Sequence, residues 1–232
     1  MEEIKHLILL RMTALFSGVG DIDLEKIANV TRRRQALRGT ALMRSGERSD
    51  AVYIIISGAV RVVNHDESGR EVILSQLHPG ECFGEMGAID NDVRSATIVA
   101  SENCELFVIA SHDFRHCLET MPQLSSNVMR RIVQRLREAD RKIESLALTD
   151  VSGRVSSLLF ELSELNKEGQ RIIRKRITRK DISKMVGASR EAVSRAMKDL
   201  VMNGRVRTEN GILILEERRT STDRRATPRS AS

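Results

Sequence analysis

The chain has few cysteines and no long apolar run, and each absence excludes a class of protein. Cys82, Cys104 and Cys117 are too few and too scattered for a disulfide framework. A reducing cytoplasm is therefore the simplest compartment. The apolar run 7–10 is too short to span a bilayer, and it follows two glutamates, which is the wrong flank for a secretory signal. We expect a protein without a membrane partner.

Residue sets that carry catalysis are also missing. No nucleophile–base set and no carboxylate pair can be found, so we do not expect an enzyme. His112 and His116 have the i, i+4 spacing of metal ligands, with Asp113 and Cys117 beside them. No other ligand cluster supports a metal, so two histidines facing water on a short surface helix are the favoured explanation of the spacing. We expect no metal and no required cofactor.

The charge of the chain is unevenly distributed. The 232 residues are 41% hydrophobic and allow one large or two modest domains, with a formal net charge of +6. Between residues 171 and 208 stand twelve Lys and Arg against three acidic residues. A charge run alone is usually a solvated face. Its concentration in one short segment nevertheless favours a nucleic-acid partner.

A narrow apolar stripe runs along the segment from Leu124 to Leu148, at alternating intervals of three and four residues. The stripe consists of Met129, Ile132, Leu136, Ala139, Ile143 and Leu146. Charged residues flank it, and Pro122 suits the first turn of a helix. Such spacing predicts the seam of a parallel homodimer. A core helix inside one domain is the alternative, although such a helix normally has a wider apolar face.

The first half predicts a β-rich domain after a helical start that extends to about Val30. Short apolar runs are broken by glycines about every ten residues, which is typical of a sandwich or barrel such as a jelly roll. The expected strands are Val52–Ser57, Ala59–Asn64, Glu71–Gln76, Thr97–Ala100 and Leu106–Ala110. Residues 65–69 are predicted to form a hairpin turn between two of them.

Residues 83–97 interrupt this pattern and carry groups that suit an anion. Glycines let backbone N–H groups converge, Glu85 can accept from a ribose hydroxyl, and Arg94 with Ser95 can bind a phosphate. An internal salt bridge between the carboxylate and the arginine is the alternative, and it is the more common arrangement in a β-barrel loop.

The last third predicts a winged helix. Asp150 can cap a helix that carries Val155, Leu158, Leu159, Leu162 and Leu165. Further on, Thr178 and Ser189 can each begin a short helix, and Gly187 makes the turn between these two helices. Asn210-Gly211 is a strong hairpin signal. Residues 218–232 are polar and basic without periodicity, so we expect a disordered tail near DNA phosphates.

These motifs together resemble the catabolite-activator/fumarate-nitrate-regulator (CRP/FNR) family of bacterial transcription regulators. Gly84-Glu85 followed by Arg94-Ser95-Ala96 resembles the phosphate-binding cassette of cyclic-nucleotide-binding domains. Asp150-Val151-Ser152-Gly153-Arg154 and the segment 177–195 resemble the family's DNA-binding part. The resemblance implies an α+β fold: a jelly-roll domain (1–121), a dimerisation helix (122–149), a winged helix-turn-helix domain (150–217) and the basic tail (218–232).

The resemblance also implies roles for individual residues. The ligand-binding set is Gly84, Glu85, Met86, Gly87, Arg94, Ser95 and Asp140. The DNA-binding set is Thr178, Arg179, Lys180, Ser189, Arg190, Glu191, Ser194, Arg195 and Lys198. The implied partners are a palindromic double-stranded operator, a second copy of the chain and RNA polymerase.

Two departures from the family bear on the effector. No cysteine precedes Cys82, which argues against the iron–sulfur sensor of the oxygen-sensing branch. Where the cyclic-AMP branch has a Thr-Ser pair that contacts adenine, this chain has Ala139-Asp140. Cyclic AMP is the first candidate effector, and cyclic di-GMP, cyclic GMP and no nucleotide stay open. A regulatory subunit that docks a partner enzyme is the distant alternative.

Overall fold

The computed structural model describes residues 2–65, 71–174 and 177–216. The chain divides into two compact units, and the boundary in the sequence falls inside one long helix, between Lys142 and Ile143. The elements of the first unit are α1 (Glu2–Arg11), a 3-10 turn (Ala14–Phe16), α2 (Asp21–Val30), β1 (Thr31–Ala36), β2 (Ala41–Met43), β3 (Ala51–Ser57), β4 (Val60–His65), β5 (Glu71–Leu77), β6 (Cys82–Phe83), α3 (Glu85–Asp90), β7 (Thr97–Ala100), β8 (Cys104–Ala110), α4 (Ser111–Thr120) and most of α5 (Pro122–Leu148).

The eight strands of the first unit form the predicted jelly roll. One four-stranded sheet has the order β1-β8-β3-β6 and the other has the order β2-β7-β4-β5, and every pairing is antiparallel. Strand β3 is buried on both faces, which explains its continuous apolar run. Tyr53 and Ile55 face the core between the two sheets, and Val52 and Ile54 face the helices. The predicted turn at 65–69 lies almost wholly outside the described residues.

Helices cover the outer face of the β3–β8 pair. The buried side chains of α1, α2 and α4 share one core with the first turns of α5, where Leu124 and Val128 are buried. Beyond Val128 no further residue of α5 belongs to a hydrophobic core of the described chain. The segment 83–97, which has no strand pattern, contains the short helix α3 at its start.

The second unit is the predicted winged helix with one addition. Its elements after α5 are α6 (Val151–Leu162), β9 (Glu164–Leu165), β10 (Arg171–Ile173), α7 (Arg179–Val186), α8 (Arg190–Met202), β11 (Val206–Glu209) and β12 (Ile212–Leu215). The sheet order β11-β12-β10-β9 adds a second hairpin to the predicted wing. This hairpin was not predicted, and Leu165, which was predicted to lie on the helix after Asp150, lies on β9 instead. Strands of two and three residues, as in β9 and β10, are too short to show a period in the sequence.

Local capping explains where these helices begin. The Asp150 side chain accepts from the amide of Gly153 at 2.7 Å, as expected for the first residue before α6. Thr178 and Asp181 form a complete capping box before α7. Ser189 accepts from the amide of Ala192 at 3.2 Å before α8.

The wing and the tail complete the second unit. Asn210 and Gly211 have φ values of +49° and +81°, the positive angles that a tight two-residue hairpin turn requires. The predicted disordered tail, residues 218–232, lies outside the described residues. None of the helices in the described residues is both long and apolar enough to cross a bilayer.

Candidate functional site

The cassette between β6 and β7 is shaped by two glycines. Gly84 precedes α3 with a φ of +82°, and a Cβ there would lie 2.6 Å from Arg94 Nη1. At Gly87 a Cβ would lie 2.8 Å from the carbonyl oxygen of Asp92. Both positions therefore exclude a side chain because neighbouring protein atoms approach closely.

Arg94 is buried and bonded within the protein. Its side chain lies under the cassette, and the residue is 3% exposed. The guanidinium donates to the Gly84 carbonyl at 2.9 Å, to the Ala51 carbonyl at 2.7 Å and to the Asp50 carboxylate at 2.9 Å. The alternative of an internal salt bridge is therefore present in this structure, but the partner of Arg94 is Asp50 rather than Glu85.

Glu85 instead pairs with the long helix. It is 1% exposed, and its Oε1 accepts from Arg135 of α5, which also donates to the Cys82 carbonyl. Glu85 Oε2 is buried, and no residue in the described ranges forms a hydrogen bond with it. Burial, followed by the Glu85 carboxylate, raises the pKa of the Cys82 thiol to about 12. The pair thus lies in a tightly desolvated part of the first unit.

Two further contacts hold α5 against the jelly roll of the first unit, which is called the β-domain below. Arg131 pairs with Glu81, which precedes β6. Lys142 Nζ donates to the carbonyls of Ile73 and Leu74 in β5, at 3.2 and 2.9 Å. One side of α5 is thus a row of cations that bind the edge of the jelly roll.

The remaining predicted ligand residues are at the surface. Met86, Ser95 and Asp140 are exposed. Ser95 lies beside the buried Arg94, whereas Asp140 is on α5. Ser95 can change without disturbing the Arg94 network, because none of the hydrogen bonds of Arg94 involves its side chain.

The predicted dimer stripe on α5 is exposed along its whole length. The exposed fraction is 60% at Met129 and 64% at Ile143. Ile132, Leu136, Ala139 and Leu146 are also in the exposed class. In one copy of the chain this stripe contributes nothing to a core, as expected for a helix that needs a partner.

The recognition surface of the second unit is exposed as well. Val193, Ala196, Met197 and Leu200 bury one face of α8. The opposite face presents Arg190, Glu191, Ser194, Arg195 and Lys198 to solvent. Thr178, Arg179, Lys180 and Ser189 are also exposed. The structure thus brings the predicted DNA-binding residues to one helix-turn-helix.

Charges on this surface are available to a polyanion. Among the described residues, neither Arg190 nor Arg195 nor Lys198 takes part in an ion pair within 4 Å. Hydrogen bonds from its own backbone and from Ser189 hold the pKa of Glu191 below its usual value. Glu191 is therefore an ionised acceptor at neutral pH, which suits the amino group of a cytosine.

Sequence reasoning missed two residues that complete the cassette. Asp50 is 44 positions from Arg94, and Arg135 is 50 positions from Glu85. Neither has a local signal, since Asp50 ends a polar turn and Arg135 is one of several charged residues flanking the stripe. The closed barrel brings Asp50 to Arg94, and the packing of α5 on the barrel brings Arg135 to Glu85.

His112 and His116 are both exposed on α4. Within the ranges that the structure describes, no three His, Cys, Asp or Glu side chains are grouped closely enough to hold a metal ion.

Comparison with known proteins matches both halves of the chain. Residues 33–121 match the cyclic nucleotide-binding domain family, and residues 153–219 match the Crp-like helix-turn-helix domain family. Each match lies within one of the two units that the structure separates, and neither match includes α5.

Relatives with known roles match over most of their length. The cAMP-activated global transcriptional regulator CRP of Pasteurella multocida is 35% identical, over 69% of this chain and 78% of that protein. The cAMP-activated global transcriptional regulator Vfr of Pseudomonas aeruginosa is 31% identical, over 82% and 91%. These relatives are regulators and not enzymes.

A solved structure agrees with both the fold and the order of the domains. The c-di-GMP responsive global regulator CLP of Xanthomonas campestris has a TM-score of 0.73 at 25% identity, covering 85% of this chain and 100% of that chain. With the two domain matches and the two relatives, this places a cyclic-nucleotide-binding domain and a DNA-binding domain in one regulator. The chain therefore belongs to the CRP/FNR family and is a DNA-binding transcription regulator of the CRP type.

Proposed function

We propose that this chain is a homodimeric regulator whose binding to a palindromic operator is controlled by a cyclic nucleotide in the β-domain and relayed through α5. The observation that carries the proposal is the ion pair between Glu85 of the cassette and Arg135 of α5. It joins the segment expected to bind the effector to the helix expected to form the dimer. An effector that changes this pair also changes what holds α5.

The exposed stripe on α5 supports the dimer. A helix with apolar residues at heptad spacing and charged flanks buries its stripe against a second helix. The cations Arg131, Arg135 and Lys142 occupy a different side of α5, where they bind the jelly roll. One helix can therefore contact its own β-domain and a partner helix at the same time.

The relay follows from competition for Glu85. A ribose hydroxyl that donates to Glu85 Oε1 competes with Arg135. One that donates to Oε2, which accepts from no residue that the structure describes, adds a second partner to the same carboxylate. A ligand shifts the helix pair only if its contacts differ between two states. Release or rearrangement of Arg135 provides such a difference. The second units would then be set so that two recognition helices lie about 34 Å apart, one turn of DNA.

The phosphate role of Arg94 has a structural condition. The Arg94 guanidinium is already bonded to Asp50 and to two carbonyls. A cyclic phosphate would have to displace the Asp50 carboxylate or accept from the same guanidinium beside it. A guanidinium has five N–H donors, which permits sharing. Ser95 would add a donor from the surface of the cassette.

Cyclic AMP is the first candidate effector, because two relatives are named cAMP-activated. Cyclic di-GMP is the second, because the CLP structure belongs to a c-di-GMP responsive regulator. Ala139 gives the adenine position no hydrogen-bonding side chain, and Asp140 offers only an acceptor when ionised. Asp140 can therefore accept from the exocyclic amine of adenine or guanine.

Calorimetry of the purified full chain with cyclic AMP, cyclic GMP and cyclic di-GMP tests the effector. We expect one of them to bind to the wild type and to bind more weakly to Ser95→Ala, which leaves the Arg94 network in place. Arg94→Leu should also bind more weakly, and thermal unfolding must first establish that it is folded. Binding of equal strength by folded Arg94→Leu would remove the phosphate role of this arginine.

The exposed face of α8 supports operator reading. Arg190 and Arg195 suit the acceptors of guanine, and Glu191 suits the amino group of cytosine. Lys198, Arg179 and Lys180 suit phosphates, and Ser194 adds a hydroxyl donor near the DNA backbone. Thr178 and Ser189 stand at the starts of the two helices, where their hydroxyls already donate to Asp181 and Glu191, so their part in DNA binding requires those bonds to exchange. Promoter-bound RNA polymerase is the expected further partner. Gel shifts with a palindromic DNA duplex at moderate salt distinguish the two functions. A DNA-binding regulator should shift the duplex, whereas a regulatory subunit of a partner enzyme should not.

A further inference from the structure

One guanidinium in the second unit binds the ends of two helices. Arg154, in the first turn of α6, donates from Nε to the Val186 carbonyl at 3.1 Å. Its Nη1 donates to the Thr149 carbonyl at 2.8 Å and makes a longer contact of 3.5 Å with the Leu146 carbonyl. Val186 is the last residue of α7, Leu146 lies in the last turn of α5, and Thr149 follows that helix.

The Leu146 and Val186 oxygens are acceptors that their helices leave open, and the Thr149 oxygen follows directly on α5. The last four carbonyls of an α-helix have no partner within the helix, and the helix dipole favours a cation there. Arg154 serves the carboxyl ends of α5 and α7 with one charge. The planar guanidinium has N–H donors on several sides and can donate to both helix ends at once, whereas a lysine ammonium concentrates its donors at one atom.

The residues around Arg154 are fitted to this contact. A Cβ on Gly153 would lie 2.5 Å from Thr149 Cγ2, so only glycine lets the start of α6 approach the end of α5. The Asp150 carboxylate binds the Gly153 amide and holds the same turn. The motif Asp150-Val151-Ser152-Gly153-Arg154 is thus a compact joint between α5 and α6.

A second contact makes the same connection. Leu146 Cδ2 lies 3.5 Å from the place that a Cβ on Gly187 would occupy, so the last turn of α5 packs on the helix-turn-helix turn. The Leu146 side chain therefore contacts the DNA-binding motif besides belonging to the predicted dimer stripe. The turn between α7 and α8 is held against α5 by one apolar and one polar contact.

We propose that Arg154 is a positioning residue for operator recognition. It fixes the helix-turn-helix against the end of α5 and so determines the half-site spacing that a dimer accepts. The inference rests on the proposed dimer and its palindromic operator. It adds that Arg154 sets which half-site spacing the dimer accepts, without any contact between Arg154 and DNA.

A spacing series tests this role with the full chain. Half-sites are first selected from random duplex with the wild-type protein, and palindromes are then made with one base pair inserted or deleted at the centre. We expect the wild type to bind the altered palindromes about tenfold or more weakly, because half-site spacing is a geometric match. In Arg154→Met we expect that penalty to fall to about threefold or less, with half-site affinity retained.

Arg171→Met is the matched control, since it removes the same charge from the same unit. Arg171 lies over the Phe160 ring at 3.7 Å and donates to Ser163, so these two side-chain contacts are with α6 and the residue that follows it rather than with the end of α5. Its spacing penalty should equal that of the wild type. If Arg154→Met does not fold, Arg154→Gln is measured instead, because its shorter side chain cannot reach both helix ends.

The outcomes separate the two proposals. A folded Arg154 variant that keeps the full spacing penalty overturns the positioning role, and so does one that loses affinity equally at every spacing. A wild type without any spacing penalty overturns the dimeric operator proposal itself, and the role of Arg154 with it. A penalty that falls in the Arg154 variant and persists in Arg171→Met supports both.

Discussion

The cassette and the recognition helix use the same residue types in opposite ways. In the cassette, Glu85 and Arg94 are almost fully buried, and each is paired with another part of the first unit. On α8, Glu191 and Arg195 are exposed, and no described residue forms an ion pair with Arg195. One arginine is part of the fold and the other is free for a partner.

The difference shows what burial does to an arginine. A buried guanidinium must have its donors satisfied by the protein, because a desolvated charge without partners is costly. Any ligand at Arg94 therefore enters an existing network. An exposed guanidinium is solvated by water, so it needs no partner in the protein. It contributes binding free energy when it contacts a base or a phosphate of DNA. Stability and function should therefore separate between these two sites.

The largest effect is expected on operator affinity. Arg195→Ala should weaken operator binding by about 1–3 kcal/mol per half-site, because a bidentate arginine–guanine contact is lost. The free energy of unfolding should change by less than about 0.5 kcal/mol, since the side chain is exposed. Fluorescence anisotropy on operator and scrambled duplex measures the first, and urea unfolding measures the second.

Arg174→Ala is the control for Arg195→Ala. It removes an exposed arginine of the same unit that pairs with Glu164. Specific binding that survives Arg195→Ala unchanged would show that the base-reading assignment is wrong.

At Arg94 we expect a large change in stability, in contrast to the small change expected at Arg195. Arg94→Leu should lower the free energy of unfolding of the first unit by about 2–4 kcal/mol, because the Gly84 and Ala51 carbonyls lose a charged donor. The Asp50 pair should contribute little to this loss, since Asp50 is 80% exposed. Denaturant unfolding followed by circular dichroism measures the change. A fully stable variant would contradict the network seen here.

The ion pair between the cassette and α5 should make the effects of mutations at Glu85 and Arg135 on the free energy of unfolding non-additive. Glu85→Gln and Arg135→Met each remove one side of a desolvated pair, so the double variant should lose about 1–3 kcal/mol less than the sum of the single losses. A double-mutant cycle in urea measures this energy. Additive losses would mean that the ion pair does not hold α5 to the cassette.

The smallest effect is expected at Lys198. As a phosphate contact it should act alike on all sequences, so Lys198→Ala should weaken operator and scrambled duplex by the same factor. The slope of log affinity against log salt should fall by about 1 per protomer. Salt titrations of both duplexes check this. A loss confined to the operator would move Lys198 into the base-reading group.

Features encoded locally were predicted correctly. Thr178 with Asp181, Asp150 and Asn210-Gly211 act on residues within a few positions, so a short window contains both partners. The alternation of short strands and glycines likewise indicated the jelly roll. The hairpin of β9 and β10 was missed because its strands are too short to show a period.

The sequence by itself determined the order of the modules, the ends of the DNA-binding helices and the apolar stripe of α5, because periodicity and capping act over a few residues. Only the tertiary structure decided the partners of the buried charges. Asp50 meets Arg94 and Arg135 meets Glu85 because the strands and α5 bring together segments that are 44 and 50 residues apart. Pairings at such separations depend on how the chain closes, and no local pattern contains that information.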